Sequence, residues 1–370
     1  MLDWRPSVIL SQLEKIAGTM PEFHLVDVGA SGGLHSSWSQ WGDRLHALGI
    51  DALVKEVVRL TDAETRPHVK YADALVTGPP RISSGKSRSN YALHRSAAYL
   101  GTILKTMGPE LAASMTTDEF LALWEKVARG EYAMPPSEAN YSNVADRNQD
   151  PFYAHYARMF EKAIGLEDVT VSRRTVLLDE LVAASELQEV DLLKVDTDGY
   201  DLDVLRGADS TLEGALFVEI ECQFHGLIGP EENVFANIDT HLRNRGFSLL
   251  KLAPFSYGRS ALPPTFVYPH LPAQTRTGPL QWADALYGRD VLGGDNDAGR
   301  LTDRRLQIMA CIFEMYGLED MAAELILRLT QAFGGEVRPI LDALSAKLMG
   351  EGTTYDDVWK QFGSSVAGYA

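Results

Sequence analysis

Val26-Asp27-Val28-Gly29-Ala30-Ser31-Gly32-Gly33 is the stretch on which the fold turns. It closes a short, apolar, β-branched-rich run over 23–28 with a cluster of glycines, the pattern of a buried strand ending in a tight turn. Gly29 permits the turn, while Ser31, Gly32 and Gly33 keep bulk away from a ligand lying over the next helix. Moving outward, residues 11–20 read as a short helix in front of the strand. Behind it, residues 45–50 form a second strand that closes at Asp51, and Leu53, Val57 and Leu60 repeat at helical spacing. Residues 69–76 make a third strand, interrupted by Asp73 and stopped at Gly78-Pro79-Pro80. Strand, helix, strand, helix predicts a mostly parallel sheet covered on both faces.

The same alternation returns further on. An edge piece at 169–171 and a helix over 175–184 precede a strand over 191–195, which ends in Asp196-Thr197-Asp198-Gly199. A helix over 200–207 and a strand over 215–220 follow, closed by Glu221. Next come a helix over 231–245 capped by Gly246 and a strand over 247–252, with weaker strand signals at 266–268 and 282–287. Residues 81–167 carry no strand run and several amphipathic pieces. They read as a helical insertion at the carboxyl edge of the sheet, a lid or substrate platform. Residues 288–300, with four glycines and three aspartates, read as a linker. Beyond them Leu306, Met309, Ala310 and Phe313, then Ala322, Leu325, Ile326 and Leu329, then Tyr355, Val358, Trp359 and Phe362 repeat at helical spacing. The expected organisation is a sheet domain over 1–287, the linker, and a small helical bundle over 301–370. That bundle would cap the sheet or form a homodimer surface.

Composition narrows the function. The 370 residues are 45% apolar and 23% charged, ordinary for a folded chain. Lysine and arginine number 34 against 51 aspartates and glutamates, a net charge of −17. A surface so acidic, without a dense basic patch, repels nucleic acid and anionic bilayers. Two distant cysteines, Cys222 and Cys311, exclude a disulfide scaffold and a thiolate zinc cage. No long apolar window predicts a membrane span, and the first twenty residues lack a signal-like run, so the expected compartment is the cytoplasm. Ser84-Gly85-Lys86-Ser87 imitates the end of a phosphate loop, but Pro80 stands where that loop needs glycine.

Two acidic groupings carry the chemistry. Asp27 beside the turn disfavours a pyrophosphate and favours a ligand with an ammonium group, as in S-adenosylmethionine, whose carboxylate could take turn amides. Asp51, twenty-two residues after Gly29, stands where a carboxylate accepts ribose hydroxyls, or else caps the next helix. Asp73 is placed to accept an adenine amino group. Later, Asp196, Asp198, Asp201 and Asp203 surround a strand-to-helix turn. Helix capping by Thr197 or Asp198 accounts for much of that cluster, though not for Asp196 at the strand tip. Glu219 and Glu221 share one face of the next strand, and His225 follows. Together with Asp196 these groups could deprotonate a hydroxyl, bind sugar hydroxyls or hold a hard divalent ion.

The turn at 26–33, the run Asp191-Leu192-Leu193-Lys194-Val195-Asp196-Thr197-Asp198-Gly199-Tyr200-Asp201-Leu202-Asp203-Val204-Leu205-Arg206-Gly207-Ala208, and Val218-Glu219-Ile220-Glu221 together resemble the FkbM-type methyltransferases. The resemblance spans about 23–287. It implies a class I methyltransferase (Rossmann-like) seven-stranded, mostly parallel sheet with helices on both faces. It also implies S-adenosylmethionine-dependent O-methyl transfer to a hydroxyl of a sugar, glycan or glycoconjugate. By the match, Asp27, Gly29, Ser31 and Gly33 line the methionine part of the cofactor and Asp51 holds the ribose. Asp196 sits beside the transferring methyl. Where many relatives carry glutamate, this chain has the shorter Asp198 and Asp201. Asp196 and His225 are the candidate bases, and Glu219 and Glu221 are acceptor-binding or structural. No metal is required by this reading. In the insertion, Tyr153 and His155 suit a sugar's mixed faces, and Arg88 and Arg95 suit a phosphate or uronate. Competing expectations are a non-catalytic scaffold and an NAD-dependent sugar-nucleotide oxidoreductase.

Overall fold

The computed structural model describes residues 5–78, 114–116, 119, 122, 172, 174–187, 189–197, 199–224, 229, 232–256, 266–268, 271–293 and 301–367. The expected insertion helices, the edge piece at 169–171, and Asp198, His225, Tyr153, His155, Arg88 and Arg95 lie outside these residues.

Strand β1 (Phe23–Val28) is an interior strand of the sheet, and its largely apolar run is what a strand buried on both faces requires. Phe23 and Leu25 point to one face, Val26 and Val28 to the other, all nearly inaccessible. Parallel neighbours flank it: β2 (Leu45–Asp51) then β3 (Val69–Asp73) on one side, β6 (Leu192–Val195) then β7 (Phe217–Gln223) on the other. Beyond β7 lies β11 (Leu280–Gly288), antiparallel to β7 and to β8 (Ser248–Ser256). The order β3-β2-β1-β6-β7-β11-β8 therefore has seven strands with β11 alone reversed. Strands β10 (Leu271–Thr275) and β9 (Phe266–Tyr268) extend its edge to nine.

Helices cover both faces. On one face lie α1 (Val8–Ala17), Trp38 and Trp41 of the 3-10 segment Ser36–Arg44, and three helices from the end of the chain: α7 (Asp303–Met315), α8 (Glu319–Arg328) and α9 (Arg338–Met349). Their apolar side chains join Leu25, Leu192, Phe217 and Leu286 in one core. The other face is covered by α3 (Leu178–Ala184), α4 (Asp201–Arg206), α5 (Asp209–Gly214) and α6 (Phe235–Arg243). Helix α2 (Val54–Ala63) links β2 to β3.

Several boundaries move for local reasons. Helix α1 starts earlier than expected because Ser7 accepts the Leu10 amide as its cap, and it ends where Gly18 turns left-handed. Residues 175–176 are strand, not helix: β5 (Thr175–Val176) pairs with β4 (Leu75–Val76) in a separate two-stranded sheet. The expected long third strand is thus split after Asp73. The last helix, α10 (Tyr355–Ala367), forms at the expected spacing, but Trp359 and Phe362 are each 57% exposed rather than buried.

Candidate active site

The chain leaves β1 toward β2 on one side, while β6 enters on the other, so the carboxyl ends of β1 and β6 form the switch point where open α/β sheets bind ligands. Gly29 and Asp196 meet there. The Asp196 amide donates to the Val28 carbonyl (2.9 Å) and the Gly29 amide to the Ile50 carbonyl (2.8 Å), which ties three strand tips together. A Cβ on Gly29 (φ 90°) would lie 1.7 Å from the Asp196 carbonyl oxygen. The resemblance has Gly29 line the methionine part of the cofactor; on the side where its Cβ would stand, the structure places the β6 backbone. Close strand-tip packing is therefore what requires glycine.

Gly32 (φ 83°) faces open space instead, and its amide donates to Glu56 Oε1 (2.9 Å). This turn already holds a carboxylate. Ser31 and Gly33 flank that amide, and the Gly33 amide closes the turn on Ala30 (2.9 Å). Across from it, Asp51 and Asp73 are register partners at the tips of β2 and β3. Asp51 Oδ1 accepts the Leu53 amide (2.7 Å), and Asp73 Oδ2 accepts the Ser172 hydroxyl (3.0 Å). Burial raises the Asp51 pKa, partly offset by amide donors from Leu53, Ser31 and Ala52. Asp51 thus organises the start of α2 from the tip of β2.

A polar row crosses the sheet one layer below the tips. Asp27, Lys194 and Glu219 are in register on β1, β6 and β7 and share the face covered by α7. Lys194 Nζ lies 3.1 Å from Asp27 Oδ1 and 3.9 Å from Asp196 Oδ2. Burial alone would lower the Lys194 pKa, yet Asp27, Asp196 and Glu219 raise it well above its ordinary value. Burial also raises the Asp27 pKa, and Lys194 opposes that rise. The carboxylate expected to answer a ligand amine is therefore buried and answers Lys194 instead. Glu219 is a second correction. Its carboxylate hydrogen-bonds the Tyr316 hydroxyl at the end of α7, and burial pushes its pKa up to about 8. Glu219 is closed off beneath α7 and is no surface for an acceptor. Glu221, the register partner of Asp284, lies one step nearer the open edge.

The loop bearing Asp196 is held from below. Asp201 is fully buried and accepts the Thr197 amide and hydroxyl (both 2.9 Å), the Gly199 amide (3.3 Å) and Asn233 Nδ2 (2.9 Å). Burial raises its pKa to about 6 despite those donors. Thr197 does not cap α4; its hydroxyl is spent on Asp201, and the cap residue Tyr200 makes no side-chain bond. Asp196 itself is half exposed at the switch point (51%).

The structure thus brings Gly29, Ser31, Gly33, Asp51, Asp73 and Asp196 to one edge, with Glu221 beside them and Asp27 and Glu219 beneath. His225, Tyr153, His155, Arg88 and Arg95 lie outside the described residues. Lys194, Asp284 and Tyr316 were missed from sequence. Lys194 lies inside the quoted motif, two residues before Asp196 on the same strand face, and that spacing was the available signal. Tyr316 comes from a distant helix and had none.

A seven-stranded sheet of this order, reversed only at β11 and carrying an acidic tip beside a glycine turn, defines a class I methyltransferase fold. Residues 90–249 match the methyltransferase FkbM domain, so the chain carries an FkbM-type domain and is an S-adenosylmethionine-dependent methyltransferase. The match contains the β6 motif and β7; the glycine turn precedes it and is placed by the fold. Among solved structures the chain is similar to a TehB-like SAM-dependent methyltransferase from Corynebacterium glutamicum, at 10% identity over 76% of this chain and 88% of that one, with a TM-score of 0.26. It is also similar to PKMT2 from Rickettsia typhi, at 10% identity over 90% and 72%, with a TM-score of 0.21. At such values the fold rests on the strand order itself. No curated protein matches the chain. No described helix is long and apolar enough to cross a membrane.

Proposed function

We propose that this methyltransferase acts on a hydroxyl of a sugar, glycan or glycoconjugate, in the cytoplasm, with Asp196 as the group that takes the acceptor's proton. The observation that carries the reading is the placement of a half-exposed carboxylate at the switch point, on a residue whose backbone packs against the glycine turn. The residues fit the cofactor: the Gly32 amide already donates to a carboxylate beside open space, and Asp51 and Asp73 stand side by side, suited to ribose and adenine. When bound, S-adenosylmethionine supplies an electrophilic methyl on a sulfonium.

Asp196 is held to its task by its neighbours. Asp201 fixes the loop after it, and Lys194 Nζ lies 3.9 Å from its Oδ2. An ionised Asp196 Oδ can accept a hydroxyl proton as the oxygen attacks, which spares a preformed alkoxide. Glu221, near the same edge, is suited to hydrogen-bond further hydroxyls, and two buried free cysteines accord with a reducing compartment. His225 is the alternative base, and Tyr153, His155, Arg88 and Arg95 are assigned to the acceptor by their chemistry alone.

Calorimetry with S-adenosylmethionine, paired with methyl transfer to a panel of sugar acceptors, tests the reading. Asp196→Asn is expected to bind the cofactor within threefold of wild type and to lose about 100-fold or more in kcat. Full turnover in Asp196→Asn together with loss in His225→Ala would move the base to His225. Transfer to amines or carboxylates in place of sugar hydroxyls would overturn the acceptor class.

A further inference from the structure

At the opposite end of the sheet, where β1 and β2 begin, an imidazole ladder has no part in the methyl-transfer site. His24 and His46 are the second residues of their parallel strands and are register partners. Their rings meet edge-on with centroids 5.2 Å apart. His68, just before β3, stacks on His46 at 4.2 Å. Glu22, just before β1, brings Oε2 to 4.0 Å from His24 Nε2. One ligand atom from each of Glu22, His24 and His46 lies within 4.8 Å of the other two. His24 Nδ1 is buried with no hydrogen-bond partner among the described residues, so this imidazole is incompletely satisfied by the protein alone.

We propose that Glu22, His24 and His46 form a binding site for a zinc-class divalent cation that staples the amino ends of β1 and β2. Two imidazoles and a carboxylate suit a borderline ion such as Zn²⁺, whereas magnesium prefers an all-oxygen shell. Tetrahedral bonds of about 2.0–2.1 Å put ligand atoms roughly 3.4 Å apart, so closure around the ion needs shifts of about an ångström. Glu22 can supply them, since its side chain is 37% exposed. Its other oxygen, Oε1, pairs with Arg44 at 3.1 Å. That pair is exposed and worth about 0–1 kcal/mol, a weak competitor.

The surroundings give the staple a purpose. Arg304 at the start of α7 donates to the Glu22 carbonyl (2.7 Å) and to buried Asp191 (2.7 Å), and Asp191 accepts the His24 amide (3.0 Å). The site therefore adjoins the clamp that joins the end of the chain to β1 and β6. It lies at the opposite end of the strands from Asp196, so the ion is structural and distinct from any catalytic metal.

The test uses the full chain, untagged and stripped with a chelator, titrated with ZnCl₂ and with MgCl₂ by calorimetry and thermal denaturation. The expected result is one tightly bound Zn²⁺ per chain, a raised Tm, and no magnesium response at the same concentrations. Glu22→Gln, an isosteric change at a partly exposed side chain, is expected to weaken zinc at least tenfold; His46→Ala is expected to abolish the stoichiometric site. Both variants should bind S-adenosylmethionine as wild type does, which shows that they are folded. No zinc uptake by wild type, or wild-type zinc affinity in folded Glu22→Gln and His46→Ala, overturns the site.

Discussion

At the residue scale, one lysine and one tyrosine decide how the acidic site tolerates its own charge. Asp27, Asp196 and Glu219 all face Lys194, and a single cation cannot answer three buried or half-buried carboxylates. Glu219, buried and bonded to Tyr316, resolves the excess by holding its proton, with a pKa pushed up to about 8 by burial. A carboxyl whose folded pKa is raised stabilises the fold fully below its unfolded value near 4.5. That stability is lost as pH rises through about 8. The wild type is thus expected to lose about 2 kcal/mol or more between pH 5 and pH 9, beyond the loss shown by Glu219→Gln, whose amide does not titrate. Urea unfolding at both pH values, on both proteins, measures the difference. Parallel pH dependence in the two would show that Glu219 is ionised throughout.

At the scale of elements, the strand tips are joined more tightly than the turn sequence implies. Gly29 and Gly32 of the turn should respond oppositely to alanine. In Gly29→Ala the new methyl meets the Asp196 carbonyl, which is backbone and cannot swing away. That variant is expected to displace the β6 tip and lose cofactor binding at least 100-fold. Gly32→Ala meets nothing within 4 Å and bears only the cost of a left-handed backbone, about 1 kcal/mol. It should fold, with its Tm lowered by a few degrees. Calorimetry and melting curves on the pair decide, and equal loss of cofactor binding in both would place ligand against Gly32 as well. The β6–α4 loop shows the same economy. Asp201, which reads as an ordinary first-turn acid, gathers Thr197, Gly199 and Asn233 around its carboxylate and so fixes Asp196.

At the scale of the whole molecule, the end of the chain forms a wall of the sheet core. Leu306, Ile308, Met309, Ile312, Phe313 and Met315 of α7 are nearly inaccessible and share a core with Leu25, Leu192 and Phe217. Polar ties reinforce the packing. Glu314, fully buried, accepts the Val8 and Ile9 amides (2.8 and 3.0 Å), the Ser7 hydroxyl (2.6 Å) and Lys347 Nζ (2.7 Å), capping α1 from two distant helices. Each large apolar side chain contributes about 1.5–3 kcal/mol on burial, so six together are comparable to the whole stability of a typical domain, about 5–15 kcal/mol. Removal of 301–370 is expected to abolish cooperative unfolding and soluble expression. A fragment that melts cooperatively and binds S-adenosylmethionine would show that the last helices are dispensable.

The sequence by itself determined what local physics controls. The alternation over 23–76 and 191–252 marks strands β1, β2, β6, β7 and β8, because buried parallel strands must be short and apolar. The strand-tip positions of Gly29, Asp51, Asp73 and Asp196 were legible because a glycine or acid directly after an apolar run marks the end of a buried strand. Only the tertiary structure decided which acids are available to a ligand. Asp27 and Glu219 look like Asp196 in sequence, yet Lys194 and Tyr316 bury and answer them, through contacts 167 and 97 residues apart. Periodicity shows that the last helices have apolar faces, but not which surface they cover. Here α7 covers the sheet while Trp359 and Phe362 stay exposed, because partner choice depends on shape and charge across the whole core rather than on spacing within one helix.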